Sequence, residues 1–396
     1  MRPSTESQFR PRSARGITLC SSIVMRQTLV YRLAHPTPGW SFQRVTPTPI
    51  HWATFAGSTA APMGLQHYEL QILQSLRRLA PPEWEFHPRT VGSIRQTPAP
   101  DVRLPAGLVQ RGGLHTAQMA GRFAYRGAAF VHRFDLRLPP FHGPEVVTVH
   151  DLPPLRFSDE GALPRWAALA ARQARLIICP SNFAADEVRT LLGVERVVVI
   201  PNGVGSTFWS AEPFDVDELK SFGIDGPFVL HVGGASRRKN LPALAEAWKL
   251  LSGQLPEISL VSVGPRSARR SEAFRCVSRV VLPGYLPPEK VARLMATALA
   301  VVVPSTYEGF GLPCIEAMAT GTPVVAANVG ALPEVCGDAA VMCDPMSESL
   351  ASGILRVVHD AAVRKTLIER GRNRASAFTW QRSAEAHIRA YDVAFR

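Results

Sequence analysis

The stretch from Val301 to Pro345, VVVPSTYEGFGLPCIEAMATGTPVVAANVGALPEVCGDAAVMCDP, constrains this chain more than any other. The apolar run Leu299 to Val303 predicts a strand buried on both faces. Pro304-Ser305 ends it, and the tight loop Tyr307-Glu308-Gly309-Phe310-Gly311-Leu312 follows. Pro313 suits the first turn of a helix, where its missing N–H has no partner to lose. That helix is expected to run to Thr320 and stop at Gly321-Thr322-Pro323, with Val324 to Ala326 as the next strand. Strand, glycine loop, helix and strand in this order present backbone N–H groups, at the positive end of a helix, to an anion. Two carboxylates frame the loop: Glu308 within it and Glu316 on the helix, in its first turn beside the mouth. A carboxylate there can accept hydrogen bonds from a pair of vicinal hydroxyls. Gly309 and Gly311 have no Cβ and so leave room for a ligand to touch backbone.

The same alternation fills the rest of the chain. In the first half, Ile50 to Phe55 reads as a strand, Gly57 to Gly64 as a loop and Leu65 to Leu79 as an amphipathic helix. Strands are expected at Ala128 to His132, Val146 to Val149, Leu176 to Cys179 and Val197 to Ile200. Helices are expected at Ala162 to Gln173 and Asn182 to Leu192, while residues 85–125 carry no clear pattern. After the turn Pro201-Asn202-Gly203-Val204 the pattern restarts, with strands at Phe228 to Val232, Leu260 to Val263 and Val280 to Leu282. Alternating strands and helices predict parallel sheets covered on both faces. At 396 residues the chain exceeds one ordinary core, so two α/β domains are expected, 49–204 and 205–378.

A second cradle lies in the later domain. The strand ending at Val232 runs into Gly233-Gly234-Ala235-Ser236-Arg237-Arg238-Lys239-Asn240 before the helix Leu241 to Leu251. Backbone donors with fixed positive charge suit a phosphate. Asp215-Val216-Asp217 spells a metal-binding Asp-x-Asp, but it opens the helical run DVDELKSF and reads as an N-cap. No metal is predicted.

The formal net charge is +12, and residues 1–50, with seven Arg and one Glu, supply half of it. Residues 1–48 lack periodicity and read as a disordered basic tail, or as an extension upstream of the true start. No aromatic-spaced basic stripe or zinc spacing supports a nucleic-acid partner. Attraction to anionic lipid is the better use of the charge, alongside a purely compositional origin. No apolar run reaches the length of a membrane span, about 18 residues. Six cysteines, with no CxxC pair, read as reduced thiols of a cytoplasmic protein.

The unbroken string from Glu308 to Pro345 resembles the nucleotide-sugar site of retaining glycosyltransferases of the GT-B fold, in family 4 (group 1), which includes many bacterial mannosyltransferases. VGGASRRKNL resembles that family's diphosphate loop, FVHRFDLRLPPFHGPEVVTVHDLPPL the segment in which a His-Asp pair closes a strand at the cleft, and GLQHYELQILQSL its first loop and helix. Many relatives carry an Arg directly after the first glycine of the diphosphate loop; here that place is Gly234, so Lys239 and Arg238 must carry the charge.

The resemblance implies two Rossmann-like domains facing a cleft, with a last helix, 379–396, crossing back to the first domain. Gly233, Lys239, Arg238 and the N–H groups at Gly311-Leu312 would hold the diphosphate, Glu316 the ribose, and Glu308 with the Gly309-Phe310 backbone the donor sugar. His150 would contact the sugar from the other domain. The implied reaction moves a hexose, mannose favoured, from a nucleotide diphosphate sugar to a saccharide or lipid-linked saccharide. GDP-mannose is favoured over UDP-hexoses, with no metal and no cofactor. A sugar-nucleotide epimerase, a phosphorylase and a non-catalytic sugar-nucleotide-binding protein are the alternatives.

Overall fold

The computed structural model of the chain describes residues 48–55, 64–97 and 99–395. The basic segment before Thr48 and most of the loop preceding Gly64 lie outside them. Among the described residues thirteen strands form two sheets. The first contains β1 (Thr48–Phe55), β2 (Trp84–Ser93), β3 (Val102–Leu104), β4 (Phe130–Arg133), β5 (Glu145–Thr148), β6 (Leu176–Cys179) and β7 (Val197–Val199), in the spatial order β3-β2-β1-β4-β5-β6-β7. The second contains β8 (Phe228–Val232), β9 (Ser259–Val263), β10 (Val280–Gly284), β11 (Ala300–Val303), β12 (Val324–Ala327) and β13 (Ala340–Cys343), in the order β10-β9-β8-β11-β12-β13. Every pairing is parallel.

Both faces of both sheets are apolar, which is why the strands read as continuous hydrophobic runs. Phe228, Leu230, Val301, Val303, Val324 and Ala326 point into one core of the second sheet. The residues between them, Val229, Val302 and Val325, point into the other. In the first sheet Val147, Ile177 and Cys179 face one core, and Val146 and Ile178 the opposite one. Residues 85–125, unpatterned in sequence, hold β2, β3 and the helices Ala106–Arg111 and Leu114–Ala124. β2 lies next to the three-residue edge strand β3 and carries Pro88, so neither alternation nor a buried run marks it. Asp215 caps the helix Val216–Ser221 in a reciprocal capping box with Glu218.

The last helix, Trp380–Phe395, lies on the first sheet beside the first helix, Gly64–Leu79. Val204 and Thr379 bridge where the chain passes between the domains. A buried hydrogen-bond chain ties that last helix down, and its directions can be assigned. The Ser383 carbonyl only accepts, so Nδ1 of His387, 2.8 Å away, carries the proton. Nε2 of His387 then accepts from the Tyr68 hydroxyl at 3.0 Å. Thr148 donates to the Tyr68 oxygen and accepts from Nε2 of His132 at 2.7 Å. Nδ1 of His132 is left to accept from Tyr391 at 2.6 Å. The chain starts and ends on the last helix, passing through β4, β5 and the first helix, with one proton in every link.

An added proton on either imidazole reverses a link. Burial lowers the His387 pKa to about 4 and takes that of His132 well below its ordinary value. Between pH 6.5 and 4 the unfolded chain therefore binds protons that the folded chain refuses. The stability is complete above pH 6.5 and declines as pH falls through that window. The melting temperature should fall steadily over this range. His387→Gln, which keeps an acceptor for Tyr68 without a titrating ring, should flatten the slope in a pH series of thermal melts. His387→Phe should cost on the order of 2 kcal/mol at pH 7, because it leaves the buried Tyr68 hydroxyl proton without an acceptor.

Candidate active site

In open parallel sheets, ligands bind beyond the carboxyl ends of the strands where the strand order reverses. That point lies between β1 and β4 in the first sheet and between β8 and β11 in the second. β8 runs out into Gly233, β11 into the loop that carries Glu308, and β5, next to β4, into His150. These ends meet across one cavity of about 660 Å³. Lys239, Arg238, His150, Glu308, Glu316, Gly233, Gly309, Phe310, Gly311 and Leu312 all line it. His132 does not; it is fully buried in the hydrogen-bond chain beneath.

Glu308 sits on the floor and is only 6 % exposed. Lys239 Nζ donates to its Oε1 at 2.6 Å, Ser305 Oγ donates to the same oxygen at 2.7 Å, and Arg238 Nη1 reaches Oε2 at 3.4 Å. Burial opposes ionisation of this carboxyl, but Lys239 and Arg238 outweigh it and hold the pKa below the usual carboxylate range. Arg238 also donates to Glu160 at 2.8 Å and lies 3.7 Å from Asp151, and these carboxylates raise its pKa despite burial. Burial pushes Asp151 up to about 6. Two cations thus face three carboxylates, and a diphosphate entering here competes with carboxylates for its positive charge.

Glu316 lies on the helix Leu312–Thr320, which begins one residue before Pro313, so Glu316 opens the second turn rather than the first. No side chain caps the start of this helix. Desolvation pushes the Glu316 carboxyl up to about 7. His150 faces the cavity from the other domain, edge-on to Tyr68 at 4.5 Å between ring centres. Burial lowers its pKa to about 4, and its Nε2 has no hydrogen-bond partner among the described residues.

The two loop glycines act differently from the sequence expectation of backbone opened to a ligand. A Cβ on Gly309 would lie 2.1 Å from the His150 carbonyl oxygen and 2.7 Å from Asp151 Cβ, so this glycine lets the two domains touch. Gly311 has φ 96°, a left-handed conformation that strains other residues, and a Cβ there would meet Leu332 at 2.5 Å. Phe310 turns its ring into the core against Phe378, leaving only its backbone to the cavity.

Several residues that hold the cleft together carry no sequence signal. Asp159 accepts from the Arg237 backbone N–H at 2.9 Å and pairs with Arg269. Ser181 Oγ donates to the Gly309 carbonyl at 2.6 Å, and the Glu334 carboxylate receives the Asn182 backbone N–H at 2.9 Å. The Tyr307 hydroxyl accepts from the Leu152 N–H at 2.9 Å and donates to Glu187. Arg270, almost fully buried, binds the Gly233 carbonyl and Ser262 and so fixes the glycine turn from behind.

Facing parallel-sheet domains with a cation-lined cavity at both switch points make up the GT-B fold. The profile of glycosyl transferases group 1 matches residues 217–374, and that of glycosyltransferase family 4 matches residues 120–207. The chain belongs to the group 1 glycosyltransferases of family 4. It is 29 % identical to the O-antigen chain mannosyltransferase B of Escherichia coli over 288 residues, 68 % of this chain and 74 % of that relative. It is equally identical to the alpha-maltose-1-phosphate synthase of Mycolicibacterium smegmatis over 280 residues, 63 % and 72 % of the two chains. Among solved structures, sucrose-phosphate synthase from Thermosynechococcus elongatus superposes with a TM-score of 0.70 at 24 % identity, covering 88 % of this chain and 99 % of that one.

Gly309→Ala tests the domain contact. The methyl group must force His150 and Gly309 apart, so glycosyl transfer should fall by roughly 100-fold, the penalty of misplacing a reacting group by about 1 Å. Nucleotide binding to the isolated wall around Glu316 should persist, as read by calorimetry.

Proposed function

We propose that this glycosyltransferase moves a hexose, with mannose favoured, from a nucleotide diphosphate sugar to a hydroxyl of a saccharide or lipid-linked saccharide. GDP-mannose is the favoured donor over UDP-hexoses. The anomeric configuration is retained and no metal takes part. The setting is cytoplasmic, at the inner face of a membrane. The observation that carries this reading is the two-sided cavity. One wall offers Lys239, Arg238 and an uncapped helix start; the other offers His150 with an unsatisfied nitrogen. The resemblance to mannosyltransferases supports the choice of sugar.

In the proposed step the bond from the anomeric carbon to the diphosphate breaks, and a bond to the acceptor oxygen forms on the same face. The acceptor proton passes to the departing phosphate oxygen. Negative charge grows on the diphosphate as it leaves, where Lys239, Arg238 and the Leu312 end of the helix stabilise it. Glu316 takes the ribose hydroxyls. His150 is neutral at pH 7 and hydrogen-bonds the donor sugar, and Glu308 holds Lys239 toward the diphosphate while its remaining lone pairs accept from sugar hydroxyls. Closure keeps water from the donor.

Lys239→Ala should lower turnover by roughly 100- to 1,000-fold, the usual effect of removing one such stabilising group. Turnover within a few-fold of wild type would remove Lys239 from the reaction.

Calorimetry tests both the donor and the ribose assignment. GDP-mannose should bind more tightly than UDP-glucose or ADP-glucose. Hydroxyls donating to Glu316 favour its ionised form, so its carboxyl, at about 7 when empty, should drop on binding. Binding at pH 6–7 should therefore release a proton, seen as a heat that depends on the buffer. The release should vanish above pH 8, and affinity should weaken as pH falls from 7 to 5. Glu316→Gln should bind weakly and release no proton. The same proton release from that variant would place the ribose elsewhere.

A further inference from the structure

From Val102 to Phe134 the chain contains no Asp or Glu. This segment builds the helices Ala106–Arg111 and Leu114–Ala124, which pack on one face of the first sheet. Their outer surface keeps three large apolar side chains in solvent: Leu108 is 65 % exposed, Met119 51 % and Phe123 68 %. Met119 and Phe123 stand one turn apart on the same helix face. Arg103, Arg111, Arg122 and Arg126 of the same segment are exposed. Beside Met119 is a cavity of about 250 Å³, lined also by His115, Gln118, Arg122, His142 and Gln173. It is separate from the donor cavity, sharing no lining residue with it. The nearest carboxylate along the chain from its Phe141–Gly143 rim, Glu145, is buried and bound bidentately by Arg133, so it does not offset the arginines.

Water-exposed phenylalanine and methionine on a segment with exposed arginines and no acid of its own suit an anionic lipid surface. The apolar side chains would enter the acyl boundary, the arginines would meet the headgroups, and the donor-rich cavity has the size and hydrogen-bonding groups for one phosphodiester. We propose that this face, centred on Met119, Phe123 and Arg122, docks the enzyme on a membrane containing anionic phospholipid. This inference rests on the membrane-face setting proposed above and supplies its contact surface. It is independent of the donor chemistry.

The test is flotation of the full chain with vesicles of phosphatidylcholine alone or mixed with phosphatidylglycerol. The wild-type protein should float only with the mixed vesicles, and added salt should release it. Met119→Ser/Phe123→Ser should lower the partition coefficient by on the order of tenfold or more. Arg111→Gln/Arg122→Gln should lower it by roughly 25-fold, about fivefold for each charge. Nucleotide-sugar binding by both variants should match wild type, which shows that they are folded and keeps this test separate from that of the reaction. No flotation of the wild type overturns the proposal. So does flotation of both variants at wild-type levels, which would assign lipid binding to the arginines before Thr48. Displacement from the vesicles by an oligonucleotide at equal phosphate concentration would overturn it in favour of nucleic acid.

Discussion

A carboxylate as buried as Glu308 cannot stay ionised without partners, and the structure gives it Lys239, Arg238 and Ser305. That requirement organises the second domain. Lys239 and Arg238 arrive on the loop after β8, and Glu308 on the loop after β11, across the switch point of the sheet. Pairing them pins the two loops together. It also holds two long, flexible cations in one place before any ligand arrives. The pinned loop then sets the start of the helix Leu312–Thr320, and Gly309 presses against His150 of the first domain. One buried charge therefore fixes both the anion site and the surface on which the domains meet.

The last helix closes the molecule from the other side. Without it, Tyr68 would lose its acceptor His387 and His132 its donor Tyr391 in the chain that runs from Tyr391 to Ser383. Tyr68 is the pivot. Its hydroxyl belongs to that chain and its ring lies edge-on to His150, so the end of the protein supports a side chain of the cleft. A network in which every proton has one place tolerates little rearrangement.

The alternation of elements was legible because both sheets are buried on both faces, so strands such as Val301–Val303 and Val324–Ala326 are unbroken apolar runs. β2 was not, because it lies beside a short edge strand, contains Pro88 and leaves part of its length in solvent. The cavity wall of the second domain could be read because its residues lie in two continuous strings. Asp159, Glu160 and Arg270 could not, since their partners are distant in sequence and nothing local distinguishes them from ordinary surface charges. Gly309 was noticed, but its physical reason was not: the atom that needs the missing Cβ is the backbone oxygen of His150, which belongs to the other domain.

Three titrating groups around the cavity, Asp151, Glu316 and His150, share one bias. Burial raises Asp151 to about 6 and Glu316 to about 7, and lowers His150 to about 4. Each shift moves the group toward neutrality near pH 7, while Arg238 is kept charged by the carboxylates that hold it. A polyanion entering this space meets fixed cations and polar groups whose charge is readily lost or gained. It also competes with Asp151 and Glu160 for Arg238. Both of those carboxylates belong to the first domain, so release of Arg238 to a diphosphate weakens contacts that join the domains. Contacts that do not involve Arg238, such as Ser181 to Gly309 and Asn182 to Glu334, then carry the closed arrangement. Any anion that drew Arg238 away from these carboxylates would therefore be linked to domain contact through a single guanidinium, each altering the free energy of the other.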